Sequence, residues 1–200
     1  MRSVLDANWE GKIMNELTVR YEALKEKVSE RWAEFAELMR FVETETEYLT
    51  APASTKFHLC KESGLLEHSV NVTEHLLKIK NTLAPDISDE SCVIVGLLHD
   101  LGKAGMPKNP LYLKNPPDSK WKQPYYWNNN LVYLSVPVRS IYLIAPRFPL
   151  TEEEAQAIVY HDGQYVEDNR SVAMHEERLT LLLQYADTWS SMVVEKEQKG

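Results

Sequence analysis

One stretch limits what this chain can become: Gly96-Leu97-Leu98-His99-Asp100-Leu101-Gly102-Lys103. The run Val93-Ile94-Val95 before it, with Leu97-Leu98, is too densely apolar for a surface helix, and Gly102 is a C-terminal stop signal. The pattern predicts a buried helix with an imidazole and a carboxylate side by side at its inner end. A charge in such a place is costly unless it is paired or holds a metal. Adjacent helical side chains point about 100° apart, but where the helix unwinds at Gly102 both can turn toward one cation. The other reading is a core histidine with an aspartate on the neighbouring polar face.

The chain of 200 residues is expected to form a single domain, residues 1–200, with a substantial core. No apolar run is long enough to span a bilayer, and Met1 to Asp6 lacks the apolar region of a signal peptide. Cys60 and Cys92 have neither metal nor redox spacing. They read as reduced thiols, which points to the cytoplasm. A net charge of -8 argues against DNA as a partner, makes RNA a poor one, and leaves no basis for membrane binding. A small phosphorylated substrate stays compatible, because a bound cation reverses the local sign.

The periodicity predicts an all-α protein. Residues 1–16 read as a loose start. Residues 17–50 carry Tyr21, Leu24, Val28, Phe35, Leu38 and Val42 at helical spacing, as one long helix or two with a bend. Pro52 ends that segment. A second helix is expected from about Leu65 to Leu83, with His68 and His75 two turns apart on one face. Ser88 reads as the N-cap of the helix that leads to His99. From residue 105 to 130, five prolines exclude a regular helix, and Asn115-Pro116-Pro117-Asp118 is a turn signal. A two-stranded hairpin or ordered loop is expected there. Lys103, Lys108, Lys114, Lys120 and Lys122 face one acid, Asp118, so this insertion is either a solvated basic face or a substrate lid. A helix is expected from Val136 to Ala145. Thr151 and Glu154 form a capping box for the next helix, which ends at His161. The last helix is expected from about Val172 to Val194, followed by a frayed tail from Glu195.

His68, His99 with Asp100, and Asp187 thus each fall on a core helix. Packed helices can bring such groups to one point. Two imidazoles and two carboxylates suit Mn, Fe, Co, Ni or Zn better than a thiolate set would, with Mg also admissible. These residues, in this order, resemble the HD superfamily of metal-dependent phosphohydrolases. The local wording agrees: Gly64-Leu65-Leu66-Glu67-His68-Ser69, then Leu97-Leu98-His99-Asp100-Leu101-Gly102-Lys103, then Tyr185-Ala186-Asp187. The resemblance covers roughly residues 55–195 and extends to small bacterial and phage HD-domain proteins.

The resemblance implies an HD-domain helical bundle that hydrolyses a phosphate ester or anhydride of a nucleotide or related small molecule. One divalent ion held by His68, His99, Asp100 and Asp187 would activate a water. Lys103, one turn after the His-Asp pair, would stabilise charge on a phosphate oxygen. His161 would contact substrate or donate a proton, and His58 and Lys61 would line the mouth. Many relatives hold a second metal with extra histidines between the His-Asp pair and the last Asp; His161 fits one such position, and others lie near residue 140 and at 184. Here Ser140 and Gln184 stand there, so one ion is expected. Two rivals remain: a degenerate module that binds a nucleotide or a partner, and an exoribonuclease-like phosphodiesterase, which the Gly-Leu-Leu-Glu-His wording also resembles. The residues before 50 are too few and too helical for the nucleic-acid-binding barrel of that second family.

Overall fold

The computed structural model describes residues 16–196. Most of the expected loose start, residues 1–15, lies outside the described residues, and a helix is already running at residue 16. Residues 17–50 form two helices, α1 (16–25) and α2 (Trp32–Glu45). The bend between them is held from a distance. Oε2 of Glu90 accepts the backbone N–H groups of Ser29 and Glu30 at 2.9 and 2.8 Å. Arg31 Nε bonds the other oxygen of Glu90 at 2.7 Å, while its Nη1 reaches Oε2 of Glu154 at 2.9 Å. Glu154 is fully buried, so this guanidinium joins three segments with compensated charge.

Helix α3 (Gly64–Leu83) and helix α4 (Asp89–Leu98) pack closely. The contact requires Gly96, because a Cβ there would meet Thr73 Cα at 2.9 Å and Thr73 Oγ1 closer still. Helix α4 is buried from Cys92 to Leu98, as its dense apolar run dictates. Ser88 caps it as expected, accepting from the Ser91 N–H. At the other end the buried phenol of Tyr48 donates to the Leu97 carbonyl at 2.7 Å, satisfying a helix-end acceptor. The chain then tightens into a 3-10 turn, Leu101–Ala104.

The insertion is a hairpin of β1 (Tyr112–Lys114) and β2 (Tyr125–Trp127), antiparallel with Leu113 opposite Tyr126. It has its own small cluster of Leu111, Tyr112 and Tyr125, apart from the main core. Helix α5 (Val136–Ile144) follows, then α6 (Glu152–Tyr160), which carries the complete Thr151–Glu154 capping box. Among the described residues the fold is all-α with this one small β insertion.

The last helix differs from expectation. Residues 167–172 form a 3-10 segment, and α7 runs only from Arg178 to Trp189. Met174 adopts a left-handed backbone with φ 69°, which interrupts any helix. Gln156 of α6 then starts α7 by accepting the Glu177 N–H at 2.6 Å and the Thr180 hydroxyl at 2.8 Å. After Trp189 the helix widens into a π turn, Ser190–Val194. The tail from Glu195 is not simply frayed, since Glu195 is buried. Residues 197–200 lie outside the described residues.

Candidate metal centre

Three helix ends or faces and one turn meet around Asp100. His68 projects from α3, His99 and Asp100 close α4, His161 closes α6, and Asp187 lies on α7. His68 Nε2 stands 3.1 Å from Asp187 Oδ1 and 3.4 Å from Asp100 Oδ2. His99 Nε2 and His161 Nε2 each lie 3.5 Å from an oxygen of Asp100. His68, His99, Asp100 and His161 are all buried.

The ring orientations follow from helix termination. His99 Nδ1 donates to the Gly96 carbonyl and His161 Nδ1 to the Ile158 carbonyl, each at 2.8 Å. Each ring thereby satisfies a carbonyl at its own helix end and aims Nε2 inward. His99 Nε2 is left buried with no hydrogen-bond partner. With its Nδ1–H committed to the Gly96 carbonyl, Nε2 is the ring atom His99 has left to offer a cation. A buried acceptor of this kind beside two carboxylates fits a cation. Donor atoms of His68, His99 and Asp100, and of His99, His161 and Asp187, lie within 4.8 Å of one another, close enough to share an ion.

The charges reinforce each other. Burial opposes the charged forms of His68 and Asp187, but their mutual bond outweighs it. With help from Glu195, His68 is pushed up to about 10, and Asp187 is held far below the carboxylate range. Asp100 is likewise kept ionised against its burial, chiefly by Lys103 and His99. Lys103 Nζ sits 2.5 Å from Asp100 Oδ2. Burial lowers His161, but Asp100 and Asp162 raise it more, to about 9.

Lys103 also borders a cleft of about 360 Å³, together with Thr50, Glu62, Tyr112, Lys114 and Tyr125. One face of the hairpin therefore forms a wall beside the site. The other expected residues divide. His58 lies with its ring 5.0 Å from that of His68. Burial and the nearby charges of His68 and Lys103 push it down to about 4, so it stays neutral. Lys61 instead pairs with Glu67 at 2.7 Å, and its side chain is half exposed. Ser140 braces the backbone of the His-Asp turn, accepting the Gly102 N–H and donating to the His99 carbonyl at 2.8 and 2.9 Å. Gln184 donates to the Tyr160 carbonyl.

One contributor has no counterpart in the sequence reading. Glu195 Oε2 accepts from His68 Nδ1 at 2.9 Å. The only hint in the sequence is that Glu195 directly follows the apolar Met192-Val193-Val194.

The model of the HD domain family matches residues 65–189, more than half of the chain. The chain belongs to the HD domain family. The match spans His68, His99, Asp100, His161 and Asp187, and excludes His58 and Glu195. HD domains in general bind divalent metals and are metal-dependent hydrolases. Comparison with curated proteins and with solved structures returned no significant match. No helix among the described residues is long and apolar enough to cross a membrane.

Proposed function

We propose that this HD domain is a phosphohydrolase acting on a nucleotide or a related small phosphate ester or anhydride. His68, His99, Asp100 and Asp187 would hold one divalent ion. The observation that carries the reading is the buried, unpartnered Nε2 of His99, aimed at two carboxylates beside a lysine and an open cleft. When bound, a divalent ion there supplies Lewis acidity and a water made acidic enough to attack phosphorus at neutral pH.

The chain's own groups do the rest. Lys103, held by Asp100, places an ammonium at the cleft wall, where it can meet charge developing on a phosphoryl oxygen. Asp100 and Asp162 raise His161 against its burial, which favours the protonated ring that a general acid needs. Its Nε2 can give a proton to the leaving oxygen. Tyr112, Tyr125 and Lys114 line the part of the cleft that would receive the rest of the substrate.

The deciding experiment combines elemental analysis with a turnover screen of nucleotides in Mn, Co, Ni, Mg and Zn. One ion per chain and metal-dependent phosphate release are expected. Asp100→Ala should lose both while staying folded. Two ions per chain would make His161 a ligand rather than the acid. Nucleotide binding without turnover under every metal would leave a binding module instead.

A further inference from the structure

Helix α3 grips residues 190–195 along one face. His68, Asn71 and His75 lie at i, i+3 and i+7, hence on one stripe. His68 Nδ1 and Asn71 Nδ2 each bond a different oxygen of Glu195, both at 2.9 Å. His75 Nδ1 pairs with Ser190 Oγ at 2.9 Å, and that hydroxyl in turn bonds the Ala186 carbonyl. The π turn between Ser190 and Glu195 closes on the Glu195 N–H to Ser190 carbonyl bond at 2.9 Å. Such turns re-aim a helix at functional sites. The same stretch of chain therefore meets both nitrogens of one imidazole, through Asp187 at Nε2 and Glu195 at Nδ1. The Glu195 side chain is almost wholly buried, and His58 Nε2 lies 3.9 Å from it.

We propose that Glu195 is a positioning residue for the metal centre: it takes the Nδ1–H of His68, fixes Nε2 toward Asp100 and Asp187, and so couples ion binding to docking of residues 190–196. The inference rests on the metal reading above. A carboxylate behind a ligating histidine fixes its tautomer and raises its basicity, and losing it commonly costs about 10–100-fold in metal affinity. Coupling is reciprocal, so the ion must also hold the C-terminal segment more firmly.

The test uses the full chain with Mn²⁺ as probe, titrated against a competing chelator, and amide hydrogen exchange over residues 190–196. Glu195→Gln should weaken Mn²⁺ binding at least roughly tenfold, and Glu195→Asp should recover part of the loss. Adding Mn²⁺ should slow exchange in residues 190–196 of the wild type and do so less in Glu195→Gln. If Glu195→Gln does not fold, Ser190→Ala loosens the same seam without touching the carboxylate and should show a smaller loss in the same direction. Mn²⁺ affinity within twofold of wild type, with exchange indifferent to the ion, overturns the proposal. So does loss of one of two bound ions, which would make Glu195 and His58 ligands. Neither readout needs turnover. Glu195-dependent binding without hydrolysis would reject only the proposed function, and hydrolysis with Glu195-independent binding only this coupling.

Discussion

Lys103 and Asp100 touch each other, yet they should fail differently when removed. Lys103→Ala should keep the ion and the fold, because the ammonium is not a donor to a cation. Its turnover should fall on the order of a hundredfold, about 3 kcal/mol, with KM changed far less. Metal content and steady-state kinetics of both variants, side by side, check this. Full turnover in Lys103→Ala would reduce the lysine to a neutraliser of Asp100. At this scale the sequence was informative where chemistry and helix pattern coincide. His99, Asp100 and Asp187 are polar residues set into apolar runs; the first two are buried and Asp187 is partly so, and all three reach the cluster. Lys61 shows the opposite case: its charge is satisfied locally by Glu67, so its nearness in sequence to His68 carries no weight. Glu195 was illegible because its neighbours Lys196, Glu197 and Lys199 give the segment the look of a solvated tail, and only the π turn brings it back.

Among the elements, the α1–α2 bend depends on one guanidinium facing Glu90 and Glu154. Arg31→Met should destabilise the protein by roughly 3–5 kcal/mol, because it leaves buried carboxylates uncompensated; denaturant unfolding measures it. Burial raises Glu90, but Arg31 and the backbone N–H groups of residues 29–31 outweigh this and leave it below its ordinary value. The depressed value means that the stabilisation is complete above the unfolded glutamate pKa of about 4.3 and fades as pH falls through the folded one. The melting-temperature gap between wild type and Glu90→Gln should therefore be widest near neutrality and shrink below roughly pH 4. A gap that stays constant down to pH 3 would contradict this. Helix ends with a chemical cap, at Ser88 and Thr151, were readable in the sequence. The start of α7 was not, because its cap is Gln156, a side chain from another helix.

For the molecule as a whole, the hairpin is an addition to a helical core rather than part of it. Its cluster of Leu111, Tyr112 and Tyr125 is separate, and Lys114 reaches across to Glu62 at 2.9 Å. Deleting residues 115–120 should change kcat/KM ratios among substrates severalfold while moving the melting temperature little. Identical ratios would make the hairpin a bystander to the cleft. The donors of the centre are also spread unevenly along the chain. More than a hundred residues separate His68 from Asp187, and the His-Asp turn comes early between them. During synthesis the N-terminal helices emerge first. A chain interrupted before residue 187 keeps the His-Asp turn but cannot complete the set, and one interrupted before 195 lacks the group behind His68. Firm capture of an ion would then wait on residues 187–195, and the loaded ion would mark that this stretch has joined the bundle.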